Sequence, residues 1–314
     1  MRKLKPGSLF RIGSKTLVPL TILLSSTTCM PAANACSVCI AHALGAGLHG
    51  LGAQTLHKGA SVFSISFVTT GKTQDGDDPG TKERENLYEY GINYQYGLTN
   101  NLTLRTYLPY VMRSIKVTGQ PEENTSGLGD GSVGLFYQLP ASTNDKLLTA
   151  FYVDAKLPTG DNSRRDSTGA LRDQHLQPGT GSTDLVFGTA FTGELNTHGE
   201  LWFAGLRGRI NGSNGHGYHY GSVVFYNVGY SHALSSKDSV VLELNGRVAD
   251  IDVREDGTHD PDSGGHVGYL SVSYRRSLGS DFGVIATYQH PVMKNLNGSQ
   301  SEGAIFSASL TRAF

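Results

Sequence analysis

The segment LYEYGINYQYGL at residues 87–98 alternates strictly between two kinds of side chain. Every second residue is apolar or aromatic: Tyr88, Tyr90, Ile92, Tyr94, Tyr96 and Leu98. The residues between them are polar or small: Glu89, Gly91, Asn93, Gln95 and Gly97. Successive side chains of a β-strand point to opposite faces, so this pattern predicts a strand with one apolar and one polar face.

The same alternation recurs through the chain, in about twelve segments bounded by turn-forming residues. In residues 147–157, 202–210 and 240–248, apolar side chains alternate with Asp, Lys, Glu and Arg. A soluble β-sandwich with its apolar face turned inward would give a similar pattern. Alternation therefore predicts an all-β protein without deciding which face is buried.

The connections between the segments distinguish these two architectures, because short and long ones alternate strictly. The short ones fall near residues 99–100, 141–145, 196–199, 235–238 and 279–281. The longer polar ones cover residues 71–85, 119–126, 159–178, 211–217, 252–264 and 294–301. Bacterial outer-membrane barrels have short periplasmic turns and longer outer loops. We therefore predict that residues 59–314 form a closed antiparallel transmembrane β-barrel of about 12 strands.

The first 35 residues have the three parts of a secretory signal peptide in the usual order. A basic leader without acidic residues precedes a short apolar run at residues 17–24. Ala33-Asn34-Ala35 then matches a small-x-small cleavage site. We predict cleavage after Ala35 and, in a Gram-negative bacterium, delivery of the mature protein to the outer membrane.

Composition excludes some classes of function. The leader holds five of the 26 Lys and Arg residues and none of the 27 Asp and Glu residues, so the mature chain is net negative. This argues against a nucleic-acid partner, which usually meets a basic face. Nucleophile-elbow, phosphate-loop and zinc-protease motifs are missing from the sequence, and we predict that the protein is not an enzyme.

The predicted partners are outer-membrane lipid, a small-molecule solute and the barrel-assembly machinery. The last of these is expected to recognise the final strand, which ends on the aromatic residue Phe314.

The start of the mature chain, residues 36–58, holds a compact group of metal-binding side chains. Cys36 and Cys39 are two residues apart, and His42 follows closely. This set could bind Cu or Zn, whereas in an oxidising periplasm Cys36 and Cys39 could instead form a disulfide. Lipid attachment at Cys36 is a third alternative. The Gly-rich residues 41–59 would be either a mobile segment or a short plug inside the barrel. Beyond the possible Cu or Zn, the sequence predicts no cofactor.

The polar faces of the strands collect charges of both signs, which a barrel would direct into its lumen. These residues are Glu89, Arg105, Arg113, Asp154, Lys156, Arg207, Arg209, Glu243, Arg247 and Arg275. Paired with one another, they would fill the lumen with ion pairs. Otherwise they would line a narrow pore for small polar or aromatic molecules.

Three Gly-rich motifs carry a family resemblance. They are Gly127-Leu-Gly-Asp130, Lys156-Leu-Pro-Thr-Gly-Asp161 and Pro178-Gly-Thr-Gly-Ser-Thr-Asp184. In this order and spacing they resemble the outer-membrane transporter family named for the meta-pathway of phenol degradation. The resemblance implies a transporter-like barrel with poorly defined substrates. The three Asp residues are expected to cap turns or to bind a cation near the mouth.

These observations together predict an outer-membrane channel or transporter for small molecules. The alternative is a structural or surface-binding barrel with a metal-binding or redox-active Cys-x-x-Cys segment at its N-terminus.

Overall fold

The computed structural model describes residues 52–76, 79–140, 146–195 and 200–314. The predicted signal peptide and the Cys36, Cys39 and His42 group lie outside these residues. Within the described chain, no helix is long and apolar enough to cross a membrane.

Fourteen strands and one short 3-10 helix, Gln174–Leu176, make up the described fold. The strands are β1 (Ser61–Asp75), β2 (Lys82–Thr99), β3 (Leu102–Val117), β4 (Glu123–Leu128), β5 (Ser132–Gln138), β6 (Leu147–Lys156), β7 (Asp184–Glu194), β8 (Leu201–Ile210), β9 (Val223–Ala233), β10 (Asp238–Ala249), β11 (Gly265–Ser277), β12 (Phe282–Leu296), β13 (Ser301–Glu302) and β14 (Ile305–Ala313).

The sheet closes on itself. Each strand pairs antiparallel with its neighbours, and β1 pairs with both β2 and β14. The closing pair runs from Val62 opposite Ala313 to Thr69 opposite Phe306. Closure removes the unpaired edges that lipid could not satisfy.

Around the barrel wall, most positions are occupied by one strand each. At two of these wall positions, two strands lie end to end and share the position. β4 and β5 follow one another along β3, which pairs with β4 near its outer end and with β5 near its start. In the same way, β13 and β14 follow one another along β1. The wall therefore has twelve positions, which confirms the predicted closed antiparallel barrel of about 12 strands.

The alternation of side chains places polar residues inside and apolar residues outside. Ile92 is 48% exposed on the outer surface, whereas its neighbour Asn93 is completely buried. Leu135, Val153, Leu206 and many other large apolar side chains are likewise exposed on the outside. An apolar exterior around a polar interior is the reverse of a soluble sandwich. It suits a barrel whose outer face meets hydrocarbon.

Tyrosines near strand ends predict an aromatic belt at the membrane–water interface, and in this sequence they are Tyr107, Tyr110, Tyr137, Tyr226, Tyr230, Tyr274 and Tyr288. Most of them point outward. Tyr110, Tyr137, Tyr274 and Tyr288 are all exposed. Tyr107 is an exception to that expectation, because it lies on the inner face and is 2% exposed. Its hydroxyl donates a hydrogen bond to Glu89 within the lumen.

The first long connection differs from its predicted bounds. β1 continues to Asp75 and β2 begins at Lys82, so residues 71–75 and 82–85 are strand rather than loop. Polar pairs such as Gln74 with Glu83 and Asp75 with Lys82 extend the hairpin. A polar outward face is suited to water, so this hairpin continues past the apolar belt.

We predict that Ile92→Arg lowers the free energy of unfolding by about 2–4 kcal/mol, the cost of Arg on the lipid face near the bilayer midplane. Ile92 lies between Tyr90 and Tyr94 on the outer face of β2. The matched control is Leu98→Arg on the same face near the strand end, with an expected cost of about 0–1 kcal/mol.

Urea unfolding of both variants in lipid vesicles measures the difference between them. Equal costs at the two positions would contradict the proposed depth of β2 in the bilayer.

Candidate functional site: the barrel lumen

The structure places all ten predicted lumen charges at inward-facing strand positions. Nine are almost completely buried: Glu89, Arg105, Arg113, Asp154, Lys156, Arg207, Arg209, Glu243 and Arg247. The tenth, Arg275 on β11, is half-buried. The structure also shows which charges are brought together, a relation that the sequence pattern does not contain.

Lys156 lies at the centre of a completely buried ion cluster near the extracellular end. Its ammonium is 3.1 Å from a carboxylate oxygen of Asp130 and 3.0 Å from one of Asp184. The hydroxyl of Ser182 lies 3.2 Å from the same nitrogen, and that of Thr180 is also within hydrogen-bonding distance. One lysine thus joins β6 to β7 and to the residues before β5.

The three Gly-rich motifs meet at this cluster. Asp130 accepts hydrogen bonds from the backbone N–H of Gly160, at 2.9 Å, and of Thr180, at 2.8 Å. Gly160 and Gly179 approach so closely that a Cβ on Gly160 would lie 2.7 Å from the Cα of Gly179. Glycine is therefore required where the two ends of loop 157–183 cross.

Of the three Asp residues of the motifs, Asp161 caps a turn as expected, whereas Asp130 and Asp184 hold a cation of the protein itself. Asp130 and Asp184 pair with Lys156, a protein cation, instead of only capping turns. Asp161 is partly exposed, pairs with Arg164 at 2.9 Å and accepts from the backbone N–H of Ser163. Residues 26 to 54 positions apart form this cluster, which is why sequence spacing alone does not predict it.

Other buried charges form pairs between strands that are not adjacent in the wall. Both oxygens of Asp154 lie 3.0 Å from Nη2 of Arg105. Asp154 reaches Arg105 over Gly134, where a Cβ would lie 1.7 Å from the Asp154 carboxylate. Arg247 donates to Glu302 at 2.9 Å, and Tyr269 also donates to Glu302. Glu302 was not among the predicted lumen residues because it belongs to the two-residue strand β13.

Aromatic and arginine side chains share one continuous row of backbone-paired residues that crosses neighbouring strands of the wall. Successive backbone pairs join Phe136 to Tyr152, Tyr152 to Gly188, Gly188 to Arg207, Arg207 to Phe225, and Phe225 to Arg247. We call Phe136, Tyr152, Arg207, Phe225 and Arg247 the aromatic–arginine row. The two Phe residues and Tyr152 were not predicted as lumen residues, although strand alternation places them on the inner face.

The members of the row contact one another or a neighbouring arginine through their faces. Phe136 and Tyr152 are stacked, with centroids 5.9 Å apart, and the Arg105 guanidinium lies 4.9 Å and 4.8 Å from them. The Arg207 guanidinium lies over Phe225 at 4.0 Å. Cation–π contacts of this kind gain strength where water is excluded.

The part of the wall that faces the aromatic–arginine row across the lumen is lined by different side chains. Short hydroxyl and amide side chains line it, and they pair among themselves. Ser64 pairs with Thr311 at 2.9 Å, Ser273 with Thr287 at 2.9 Å, and Asn245 donates to Ser271 at 2.7 Å. We call this surface, on β1, β10, β11, β12 and β14, the hydroxyl wall.

The 3-10 helix Gln174–Leu176 extends across the extracellular end of the lumen. On one side, Arg113 of β3 donates to the His175 carbonyl at 3.0 Å. On the other, Tyr220, in the loop after β8, donates to the Gln174 carbonyl at 3.2 Å. β3 and β8 are four of the twelve wall positions apart, and Gln174 also donates to Glu255 in the loop after β10, which lies opposite β3. Loop 157–183 therefore covers the extracellular opening.

His175 lies within this cover and is surrounded by acidic groups. Its Nδ1 is 3.0 Å from Asp173, and its Nε2 is 3.9 Å from Asp252. Burial disfavours the charged imidazole, but Tyr218, Asp173 and Asp252 outweigh this and raise the pKa of His175 well above its ordinary value of 6.5. The imidazolium consequently ties the 3-10 helix to the loop after β10.

Beneath the 3-10 helix lies a cavity of about 20 Å³, room for roughly one water molecule. Its charged lining includes Lys72, Glu85, Arg113, His175 and Glu302. Lys72 and Glu85 are 3.0 Å apart, and the sequence reasoning missed both because they fall in the predicted first loop.

The segment before β1 lies along the periplasmic rim. Backbone N–H groups of Ala53, Leu56 and Lys58 donate to side chains of Thr192 (2.8 Å), Thr103 (3.0 Å) and Asn100 (3.0 Å) respectively. Ala53 is completely buried. These side chains belong to β7, β3 and the turn before β3, so the segment follows almost half of the rim.

The predicted Cu or Zn ligands Cys36, Cys39 and His42 lie outside the described residues. Within the described residues, groups of three or more His, Cys, Asp or Glu placed to hold a metal ion are absent.

A closed twelve-position barrel with an apolar exterior and a charged interior defines the class as a transmembrane β-barrel of the outer-membrane type. The family model described as "Putative MetA-pathway of phenol degradation" matches residues 86–294. The chain belongs to this family. A comparison with curated protein sequences finds no match.

Among solved structures, an outer membrane channel from Pseudomonas putida F1 is similar, with a TM-score of 0.64 and 14% identity. The match covers 83% of this chain and 97% of that one. A FadL homologue from Pseudomonas aeruginosa gives a TM-score of 0.43 and 10% identity, over 81% and 90% of the chains. The monoaromatic hydrocarbon channel CymD gives a TM-score of 0.45 and 11% identity, over 90% of this chain and 98% of that one. The first similarity supports the fold, whereas scores below 0.5 do not establish a shared one.

We predict that Lys156→Met lowers the free energy of unfolding by about 3–5 kcal/mol, because it leaves Asp130 and Asp184 buried without their cation. Urea unfolding in lipid vesicles measures the loss. The triple variant Lys156→Met, Asp130→Asn, Asp184→Asn should recover a large part of it. Lys146→Met at an exposed turn position serves as the control. A single variant as stable as the wild type would show that the cluster does not fasten loop 157–183.

We predict that the cover over the extracellular end loosens as the pH rises. A raised folded-state pKa means that the stabilisation by His175 is complete below about pH 6.5 and is lost as the pH rises through the raised value. The rate at which a protease cleaves loop 157–183, corrected for protease activity at each pH, should increase over this range. His175→Gln should abolish the increase, and His216→Gln should retain it. An unchanged pH dependence in His175→Gln would exclude this role.

Proposed function

We propose that this protein is an outer-membrane channel that admits small molecules, including molecules with an aromatic ring. The observation that carries the proposal is the inner surface of the barrel, where an aromatic–arginine row faces a hydroxyl wall. A barrel that served only as a scaffold would not need two chemically distinct inner surfaces.

Family membership supports the aromatic part of the proposal, since the family description refers to phenol degradation. The similar structure from Pseudomonas putida F1 is itself titled an outer membrane channel. We infer the same class of function and the same membrane for this chain.

Parts of the chain itself lie at both ends of the lumen. Loop 157–183 covers the extracellular end, and residues 52–58 lie along the periplasmic rim. These covers are attached mainly by hydrogen bonds and ion pairs, unlike the continuous strand pairing of the wall. Solute passage would therefore require movement of the covers while the wall stays intact.

Lipid and a small-molecule solute are thus the proposed partners. Recognition of Phe314 by the barrel-assembly machinery stays a prediction; Phe314 is 63% exposed, and the Arg312 guanidinium lies over its ring at 4.5 Å.

The proposal predicts that vesicles containing the purified protein take up benzyl alcohol and other small solutes faster than empty vesicles. Ser271→Trp should reduce this uptake severalfold, because it introduces a large ring into the lumen at a completely buried position of the hydroxyl wall. Leu270→Trp is the matched control, since the adjacent Leu270 is 50% exposed on the lipid face and should tolerate the same ring.

Vesicle swelling or rapid filtration measures the uptake, and slower gel migration after boiling verifies that each variant is folded. Wild-type vesicles no more permeable than empty ones would contradict channel function.

A further inference from the structure

The aromatic–arginine row ascends the lumen from one end to the other. Phe136 pairs with Thr103, the second residue of β3, next to the periplasmic turn. At the other end of the row, Arg247 pairs with Val267, the third residue of β11, next to an extracellular loop. Strands of a barrel are tilted, so a register row climbs as it passes round the wall. A molecule moving through the lumen would meet each member of the row in turn.

Arg207, in the middle of the row, has no hydrogen-bonded carboxylate among the described residues. It is 3% exposed, and its Nε has no hydrogen-bond acceptor there. Asp154 acts on Arg207 electrostatically, but both of its oxygens accept from Arg105. Arg247, by contrast, is paired with Glu302. The face of the Phe225 ring, rather than a hydrogen-bonded carboxylate, therefore lies against the Arg207 guanidinium.

The orientation of Arg207 leaves its hydrogen-bond donors available. The guanidinium lies over the Phe225 ring at 4.0 Å, and such a contact uses the face of the planar group. The N–H donors lie in the plane, where a carboxylate binds them two at a time. A buried cation without a hydrogen-bonded anion is costly, so the site favours an anionic ligand.

Tyr152 places an aromatic surface beside this cation. Its ring lies over Gly188, where a Cβ would be 2.5 Å from the Tyr152 hydroxyl oxygen. Gly188 is the backbone partner of Arg207. The glycine thus lets the Tyr152 ring extend toward Arg207. A ligand that combines an aromatic ring with a carboxylate matches both groups.

We propose that the aromatic–arginine row is a binding track for small aromatic carboxylates, with Arg207 binding the carboxylate group and the aromatic members contacting the ring. This inference rests on the proposed channel function and specifies a class of solute for it.

Benzoate is the probe for this track, with acetate as an anion without a ring and benzyl alcohol as a ring without a charge. Equilibrium dialysis measures benzoate binding to the full chain in detergent, and proteoliposomes measure the flux of all three solutes. Arg207→Met should reduce benzoate binding and flux by about tenfold or more, as expected for the loss of a charge-assisted hydrogen-bonded pair. Arg207→Lys should keep part of both, and benzyl alcohol flux should change little.

Arg312→Met is the matched control, because Arg312 also lies over aromatic rings, Phe282 at 5.2 Å and Phe314 at 4.5 Å, at the end of the last strand. It should leave benzoate binding unchanged. Heat-dependent gel migration verifies the folding of each variant, and Arg207→Gln replaces any variant that does not fold.

Wild-type benzoate flux no greater than acetate flux, or unchanged benzoate binding in Arg207→Met, would overturn the track while leaving the channel function in place. Benzoate binding without flux of any solute would instead overturn the channel function and retain the binding site.

Discussion

The pairing of β1 with β14 is the constraint on which the rest of this structure depends. In a bilayer an unpaired strand edge has no water to satisfy its N–H and C=O groups, so a spanning sheet must close. Here eight consecutive backbone pairs, from Val62–Ala313 to Thr69–Phe306, join the two ends of the barrel. Closure fixes which face of every strand is lumen and which is lipid-facing.

Closure also determines how the charges must be arranged. Once the polar faces are enclosed, each charged group needs a partner within reach, and the described lumen supplies many of these partners from other strands of the wall. Arg105 pairs with Asp154 and Arg247 with Glu302, whereas Lys156 holds two carboxylates. Breaking such a buried pair by removing one member is expensive. The ion pairs therefore make the inner surface rigid around the row and the hydroxyl wall.

The covers at the two ends are built differently from the wall. Loop 157–183 is fastened at its base by the Lys156 cluster, and its 3-10 helix is joined to the loops after β8 and β10 by Tyr220 and by the His175–Asp252 contact. The ion pairs of Lys156 at the base of the loop are completely buried. The contacts farther from the base include the titratable side chain of His175. A loop held in this way can release its tip without unfolding the barrel. This division between a continuous wall and a loop with fewer far contacts fits the proposed channel function.

The sequence by itself determined the strands, the faces and the class of fold. Strict alternation in segments such as 87–98 needs only the period of an extended chain, and the long and short connections needed only their lengths. The same alternation located the charged lumen residues, including Arg207 and Lys156. It misplaced Tyr107 as an interfacial residue, since position near a strand end does not reveal the face.

Only the tertiary structure decided the pairings, because they join residues far apart in the chain. Arg105 and Asp154 meet through the register of β3, β5 and β6, and Gly134 makes room for them. The three Gly-rich motifs converge on Lys156 only after loop 157–183 has folded back onto the wall. The aromatic–arginine row exists only as a register across six strands. Register depends on the closed hydrogen-bond ladder as a whole, and no local stretch of sequence contains it.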